Sequence, residues 1–286
     1  MTHGAIHKLP VSDDSEALRA SRLGERYRDA LDLPVEWNGT LDTLLAHRSV
    51  RAFLPDAIPS GTIELLVAAA QSAAASSNLQ PWSVVAVEDP ERKARLAALA
   101  GNQKHIAEAP LFLVWLIDLH RLESIGKRRR APTGGLDYLE TLLLGSVDTA
   151  MAAQNAVIAL ESLGLGAVYA GGIRNKPAEV ARELNLPNHV FALVGLSVGY
   201  PDPARPASVK PRLLQQTVLF REEYPSEQPE AAIATYDARL RGFQREQGMT
   251  ERDWSEQATD RVRGPDSLSG RDAMRDILHG LGFGLK

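Results

Sequence analysis

The chain has 286 residues, 44% of them hydrophobic and 24% charged, which is enough to bury one large core or two small ones. Its net charge of -4 gives no basic footprint for nucleic acid, and the absence of cysteine excludes disulfides, thiolate metal sites and thiol nucleophiles. Any redox chemistry would therefore depend on a bound cofactor.

The first residues lack the apolar segment of a signal peptide, and no uninterrupted apolar stretch reaches the roughly 18 residues of a membrane helix. We therefore expect a cytoplasmic protein with neither membrane nor nucleic-acid partners. Residues 15–31 combine mixed charge with apolar residues at helical spacing, which predicts an N-terminal helical arm.

Predicted helices and strands interleave along the rest of the chain without a regular βαβ period. This favours an α+β fold in which helices flank a mixed central β-sheet on both faces. Residues 125–135 are predicted to be a loop, with a solvated basic run at 127–130. Helices are predicted over residues 41–47, 63–70, 90–99, 136–163 and 177–184 and after residue 229, and strands over 82–88, 111–117, 167–170, 190–200 and 213–220.

The predicted helix over residues 136–163 is long, apolar and weakly charged. Such a helix needs burial on more than one side, and a subunit interface is the simplest way to supply it, so we expect an intertwined homodimer. Around it, the sequence predicts an N-terminal helical extension (1–40), a cofactor-binding core (41–225) and a C-terminal helical extension (226–286). Residues 247–267 are polar and interrupted by Gly and Pro, which predicts an irregular, mobile lid.

Two basic segments are candidates for holding a phosphate. His47-Arg48-Ser49-Val50-Arg51 concentrates two guanidinium groups, an imidazole and a hydroxyl after a short helix, and Lys210-Pro211-Arg212 places two cations after a rigid turn. A basic helix end that complements the helix dipole explains the first segment about as well, and basic pairs are common on protein surfaces.

Two further segments are polar turns beside predicted strands. Ser76-Ser77-Asn78-Leu79-Gln80 offers amides that can pair with the donor and acceptor edge of a flavin pyrimidine ring. Tyr169-Ala170-Gly171-Gly172 places paired glycines after a strand, where a backbone N–H can approach such a ring. Ordinary turn chemistry is the alternative interpretation of both segments.

Together and in this order, the four segments resemble the nitroreductase family, specifically its larger NADPH-dependent oxygen-insensitive nitroreductases and flavin reductases. The resemblance also includes Gly101-Asn102-Gln103-Lys104-His105 and residues 144–155 and 163–175, and it runs from about Leu41 to Tyr236. It implies an FMN-dependent NAD(P)H oxidoreductase that reduces nitroaromatic or quinone acceptors by ping-pong hydride transfer through flavin N5. An NADPH-dependent flavin reductase that releases reduced FMN, and a flavin-binding protein without turnover, stay open as alternatives.

The resemblance also implies roles for individual residues, with FMN at the dimer interface and no catalytic side chain or metal. His47, Arg48 and Ser49 are expected to hold the ribityl phosphate together with Lys210 and Arg212. Arg51 and Gln103 are expected near N1 and the C2 carbonyl. Residues expected to approach the ring from the other subunit are Ser76, Ser77 and Asn78, and Gln80 is also expected to bind the cofactor. Those expected to line the ring near N5 are Tyr169, Ala170, Gly171 and Gly172.

The electron donor and acceptor are expected to meet arginines outside the flavin site. Relatives that use NADPH carry a basic residue before a glycine, whereas this chain has Gln247-Gly248, so the choice between NADPH and NADH stays open. His105 and His189 are expected to be structural rather than catalytic. The candidate arginines are Arg174, Arg245, Arg252, Arg261 and Arg263.

Overall fold

The computed structural model describes residues 13–31, 33, 35–227 and 229–286, and the chain divides into two compact units. Unit 1 comprises Met1–His47 and Ser208–Arg261, and unit 2 comprises Arg48–Ala207 and Val262–Lys286. Each unit is therefore discontinuous in sequence. The three-part division predicted above stays a prediction, and its N-terminal extension is described only from residue 13.

Helices dominate the described residues. The α-helices are α1 (Asp13–Tyr27), α2 (Gly39–Leu45), α3 (Thr62–Gln71), α4 (Pro90–Leu99), α5 (Lys104–Glu108), α6 (His120–Arg129), α7 (Leu139–Ser162), α8 (Pro177–Glu183), α9 (Glu230–Glu246), α10 (Trp254–Val262) and α11 (Met274–Gly280). The strands are β1 (Trp82–Val87), β2 (Leu111–Asp118), β3 (Gly166–Ala170) and β4 (Val190–Gly199).

The four strands form one sheet in unit 2, in the order β1-β2-β4-β3, and every neighbouring pair is antiparallel. Among the described residues, parallel pairing occurs only in an isolated bridge between Ser49 and Ala167, so the predicted mixed character of the sheet is confined to that bridge. Strand β2 is central and buried from Leu111 to Ile117, which explains its continuous apolar sequence.

Both faces of the sheet are covered by helices, as expected. Successive side chains of β2 point to opposite faces, so Leu113 and Trp115 pack in a core with α3 and α7, while Phe112 and Val114 pack in a second core with α4 and α8. Beyond these cores, Leu278 of α11 packs near Ile117 in a third cluster. The predicted α+β class with helices on both faces is confirmed.

Helix α7 is the long apolar helix predicted from the sequence. Eight of its residues are buried, among them Ala152, Ala156 and Leu160 against the sheet. By length and composition it could also cross a membrane, a test that the core helices of soluble proteins pass as well. Its burial in the core of unit 2 identifies it as a helix of that core.

Several boundaries were predicted correctly because their signals are local. Helix α4 begins and ends at the predicted residues, with Pro90 in its first turn and the Asp89 carboxylate accepting the N–H of Arg92 at 2.8 Å. The predicted strand over 213–220 is wrong. There, a turn of 3₁₀ helix over Gln215–Thr217 forms, because the N–H groups of Thr217 and Val218 bond to carbonyls three residues back.

The predicted loop over residues 125–135 is wrong in its first half, because helix α6 continues to Arg129. Its three last-turn cations, Lys127, Arg128 and Arg129, complement the negative end of the helix dipole. The helix ends at Arg130, whose left-handed φ of 54° allows the N–H of Ala131 to bond back to Gly126 at 3.0 Å.

The middle of the predicted lid, Trp254–Val262, forms helix α10. The carboxylate of Asp237, on α9, accepts the backbone N–H of Ser255 at 3.0 Å and its hydroxyl at 2.6 Å. This cap comes from a distant part of the sequence, so local signals could not show that the segment would be helical. The expectation of irregular structure over residues 254–262 is therefore wrong.

Candidate functional site

The segment after helix α2 runs beside strand β3 of unit 2. The N–H of Val50 bonds to the carbonyl of Ala167 at 2.9 Å, and Val50 is buried. Gly166 makes this close approach possible, because a Cβ at that position would lie 2.6 Å from a methyl group of Val50. Arg48, Ser49 and Arg51 are exposed along the same segment. The structure thus brings three predicted cofactor ligands to strand β3, which carries Tyr169 and ends at Ala170.

Strand β3 leads directly into a turn of 3₁₀ helix over Gly171–Arg174. A Cβ on Gly172 would lie 2.3 Å from the carbonyl oxygen of Ala100 and 3.0 Å from Nε2 of Gln103, so only glycine fits there without a shift. Gln103 and Gly172, which are far apart in sequence, therefore lie side by side as predicted site residues.

The side-chain oxygen of Gln103 is buried and has no hydrogen-bond partner within the described residues. A buried acceptor without a donor costs about 1 to 3 kcal/mol. Native proteins rarely retain such a group unless a ligand or water supplies the missing donor. The oxygen therefore marks a position where a ligand N–H or O–H can bind.

Close to Gln103, His105 has a structural environment. Its Nδ1 lies 3.0 Å from the Ser197 hydroxyl on β4. Burial lowers the pKa of His105, and the positive charge of Arg51 lowers it further. Arg51 thus lies within electrostatic reach of the segment that carries Gln103, and His105 is neutral at pH 7, as a structural histidine would be.

His189 is held in a similar way. Its Nδ1 lies 3.4 Å from the Glu123 carboxylate, its ring packs edge-on against Phe283, and its backbone N–H bonds to Leu281 at 2.8 Å. These contacts join α6, β4 and the C-terminal residues of unit 2. They give His189 a role in packing.

Tyr169 lines a cavity of about 320 Å³ on the surface of unit 2. The other lining residues are mainly aliphatic and come from α7 and β4. The phenol donates to Oε1 of Gln154 at 3.4 Å, and burial raises its pKa above the usual value. The cavity combines an apolar floor with the polar groups of Tyr169 and Gln154, an arrangement suited to a planar ring.

The turn over Ser76–Gln80 has unusual backbone geometry. Ser77, Asn78 and Gln80 have φ values of 49°, 53° and 49°, which cost energy for residues with a Cβ. The turn is held at one end by Asp148 of α7, whose carboxylate accepts the N–H of Ser76 at 3.1 and 3.2 Å. At the other end, Arg121 donates to the carbonyl of Gln80 at 2.9 Å.

The amide side chains of this turn bond to each other, with Nε2 of Gln80 donating to Oδ1 of Asn78 at 3.1 Å. All five residues from Ser76 to Gln80 are exposed. A strained, well-anchored and exposed turn is typical of a binding element. Its expected contact with a flavin of the other subunit stays a prediction.

In unit 1, Lys210 and Arg212 line a cavity of about 550 Å³. Both side chains are exposed, whereas Pro211 between them is buried. The lining also includes the aromatic residues Tyr236, Phe243 and Trp254. His47, the first residue of the other basic segment, also belongs to unit 1, and Arg48 belongs to unit 2.

The arginines expected at the nicotinamide or acceptor differ in their surroundings. The Arg174 guanidinium donates to the carbonyl of Leu193. Arg245 pairs with Glu251 at 2.8 Å, and Arg252 pairs with Asp260 at 2.6 Å. Arg261 and Arg263 are exposed at the end of α10 and just after it. Their roles toward substrate stay predictions.

Two positioning residues were missed by the sequence analysis. Asp148 is the one charged residue of α7 that lies away from its two ends, and that isolation is a signal that could have been used. Tyr236 holds the carbonyl of Pro211 through its hydroxyl at 3.0 Å, and nothing in its sequence context indicates this.

Comparison with known proteins identifies the family of the chain. The model of the nitroreductase family matches residues 44–200, and the model of the C-terminal domain of that family matches residues 210–286. An FMN reductase (NADPH) of Bacillus subtilis strain 168 is 38% identical over 225 residues, which cover 77% of this chain and 90% of the relative. An oxygen-insensitive NADPH nitroreductase of Salmonella typhimurium is 39% identical over 248 residues, or 85% of this chain and 98% of the relative.

Solved structures show the same fold. Bacillus megaterium NfrA2 superposes with a TM-score of 0.82 at 36% identity, covering 87% of this chain and all of that one. The NADPH:FMN oxidoreductase of Vibrio harveyi, solved with NAD⁺, superposes with a TM-score of 0.78 at 34% identity and covers 87% of this chain. On the family models, the identities and the shared fold, this chain belongs to the nitroreductase family.

Proposed function

We propose that the protein is an FMN-dependent NAD(P)H oxidoreductase that reduces small nitroaromatic or quinone acceptors. Relatives named as NADPH-dependent FMN reductase, nitroreductase and flavin oxidoreductase support this enzyme class and its cofactors. The observation that supports it most strongly within the chain is the end of β3, where Gln103 keeps a buried acceptor beside Gly172. This agrees with the function expected from the sequence.

The residues of unit 2 fit an FMN ring. The unsatisfied oxygen of Gln103 can accept an N–H from the pyrimidine edge. Arg51, whose positive charge reaches His105 in the same segment, would supply positive charge near N1 and the C2 carbonyl. Tyr169, Ala170, Gly171 and Gly172 would line the ring, with Arg48 and Ser49 toward the ribityl chain. Bound FMN supplies the two-electron chemistry, taking electrons from the nicotinamide and giving them to the acceptor. The side chains bind the cofactor and polarise it.

Lys210 and Arg212 are proposed as phosphate ligands together with His47. Two cations with fixed backbones suit a dianionic monophosphate. The family match to residues 44–200 and 210–286 includes all three positions. FMN rather than FAD is expected, because the terminal monophosphate of FMN carries the two negative charges that suit this cluster of cations.

A homodimer is proposed from the surface of α7. Leu139, Leu143, Val147 and Met151 follow one another every fourth residue and are 47%, 52%, 57% and 36% exposed. A contiguous apolar stripe of this kind on a core helix is typical of an interface. We expect a permanent dimer that buries more than roughly 2,000 Å². The exposed turn Ser76–Gln80 would then contact the flavin of the other subunit.

Flavin reduction with release of reduced FMN is the second candidate, supported by the relatives named FMN reductase. The two functions differ in the acceptor. Steady-state rates with NADPH and with NADH against nitrofurazone, a quinone and free FMN would separate them. A higher kcat/KM for free FMN than for both other acceptors would favour the flavin reductase.

Rapid mixing of the flavin-bound protein with NADPH tests whether there is turnover at all. We expect the flavin absorbance to bleach and to return when the acceptor is added. A protein that binds FMN but does not bleach with either nicotinamide would be a flavin-binding protein without turnover. Extracted FAD in place of FMN would contradict the phosphate site.

Two exposed arginines at and just after the end of α10 are further candidates for contact with substrate. We propose that Arg261 or Arg263 contacts the nicotinamide dinucleotide or the acceptor. A double Arg261→Ala, Arg263→Ala variant should raise the KM for the nicotinamide dinucleotide or for the acceptor about 10-fold without releasing FMN. If the KM values for both substrates stay at those of the wild type, these arginines do not contact either substrate. A cytoplasmic location is part of the proposal.

A further inference from the structure

A buried arginine of helix α1 connects two distant segments of unit 1. Arg26 is 7% exposed, and its guanidinium donates to three backbone carbonyls. Nη2 bonds to His47 at 2.7 Å and to Leu45 at 2.9 Å, and Nη1 bonds to Lys210 at 3.0 Å. One planar group therefore fixes the distance between the end of α2 and the segment that begins at Lys210.

The backbone of Lys210-Pro211-Arg212 is anchored at every residue. The carbonyl of Lys210 accepts from Arg26, and the carbonyl of Pro211 accepts from the Tyr236 hydroxyl at 3.0 Å. The N–H of Arg212 donates to the carbonyl of Arg26 at 3.0 Å. Arg26 thus makes two of the three contacts, one through its side chain and one through its backbone.

We infer that Arg26 is a positioning residue that sets the two phosphate-binding segments of unit 1 in place for the FMN phosphate. This inference rests on the proposed function, since it takes the anion to be that phosphate. Two neighbouring cations repel each other, and holding their backbones rigid reduces the entropy lost when they close on an anion. A guanidinium suits the task because its planar fork reaches several carbonyls at once.

The residue lies outside the part of the chain that the family models match. The two matches begin at residues 44 and 210, whereas α1 covers Asp13–Tyr27. The two segments that Arg26 joins lie inside or at the edge of the matched regions. The arm before the family core thereby contributes directly to the geometry of the proposed cofactor site.

The test compares FMN with riboflavin, which has the same ring and no phosphate. Dissociation constants for both flavins are measured by fluorescence titration of deflavinated full-length protein. The wild type should prefer FMN, and Arg26→Ala and Arg26→Lys should each lower that preference about tenfold while the riboflavin constant stays within about twofold. A general loss of folding would weaken the binding of both flavins together and leave the ratio of their dissociation constants unchanged.

Two controls frame the result. Arg22→Ala, one turn earlier in α1, removes an ion pair with Asp42 of α2 at 2.7 Å and should leave the preference intact. Arg212→Ala removes a proposed phosphate ligand and should remove most of the preference for FMN over riboflavin. Arg26→Lys is decisive if Arg26→Ala does not fold, because an ammonium group cannot span the three carbonyls.

The outcomes separate the inference from the proposed function. A preference for FMN that is lost in Arg212→Ala but kept in both Arg26 variants overturns the inference alone. A wild type that binds the two flavins equally overturns the phosphate site and the inference together. Loss of the preference in Arg22→Ala to the same extent would show that any loosening of α1 has this effect, and it would also overturn the specific role of Arg26.

Discussion

The buried carboxylate of Asp148 accepts the backbone N–H of Ser76 with both oxygens, at 3.2 and 3.1 Å. Asp148 is 2% exposed and lies in the middle of α7, so the helix that forms the core of unit 2 also holds the strained turn Ser76–Gln80. Core packing and site geometry are joined at this contact.

Asp148→Ala should lower the free energy of unfolding by about 1 to 3 kcal/mol, because the N–H of Ser76 loses its acceptor. Asp148→Asn keeps an acceptor oxygen in the same place and should lose less. Denaturant unfolding of the three proteins measures both effects. An alanine variant as stable as the wild type would show that the turn does not depend on this bond.

Gly172→Ala should destabilise unit 2 by about 1 to 3 kcal/mol through overpacking, because its Cβ would lie 2.3 Å from the carbonyl oxygen of Ala100. It should also displace Gln103 and weaken the binding of FMN. The neighbouring Gly171→Ala is the matched control, since its Cβ would meet Nη2 of Arg174 at an ordinary 3.5 Å. Thermal unfolding and flavin titration compare the two, and equal stability losses would argue against the close contact.

Val147→Lys should dissociate the proposed dimer, because it places a charge in the middle of the apolar stripe of α7 where Val147 is 57% exposed. Val262→Lys, at a residue that is 75% exposed on α10, controls for the added charge. Sedimentation velocity at micromolar concentration gives the oligomeric state. A wild-type protein that sediments as a flavin-bound monomer would contradict the dimer itself.

Stability should fall as the pH drops below about 6.5, partly because of His105. Its folded pKa lies below the usual 6.5, so the unfolded chain takes up a proton in a range where the folded chain does not. The contribution of His105 to the free energy of unfolding is fully present above pH 6.5. It decreases as the pH falls from 6.5 toward the lower pKa of the folded state. His105→Gln should show a shallower slope in denaturant unfolding between about pH 7.5 and 5.5. Parallel slopes in wild type and variant would exclude His105 as the source.

Elements with local signals were predicted well. Helix α4 carries its own Asp cap and first-turn proline, and β2 is marked by seven consecutive apolar residues. Helix α10 was missed because its cap is supplied by Asp237 from another helix. The 3₁₀ turn at Gln215–Thr217 was mistaken for a strand because its apolar neighbours Val218 and Leu219 are exposed rather than paired in the sheet.

The candidate site also combines residues that the sequence indicates with residues that only the fold reveals. The motifs around Arg48 and Tyr169 could be found from their residue types and order, and Gln103 was found through the family resemblance. The structure places all three segments around β3 in unit 2. Residues that act through backbone contacts gave little signal. Arg26 is an arginine in a charged helix, and only the fold shows that its donors bond to carbonyls 19, 21 and 184 residues away.

The bridge between Ser49 and Ala167 has a consequence for solubility. Strand β3 is an edge strand, and an open edge is a template on which the strands of other molecules can add. The segment that carries Arg48 and Arg51 occupies part of that edge through the Val50 bond. Because one short stretch of chain both blocks edge-to-edge association and presents the proposed cofactor ligands, its detachment would release flavin and promote aggregation together. The fraction of molecules that retain flavin would then measure the fraction in which the edge of β3 is still covered.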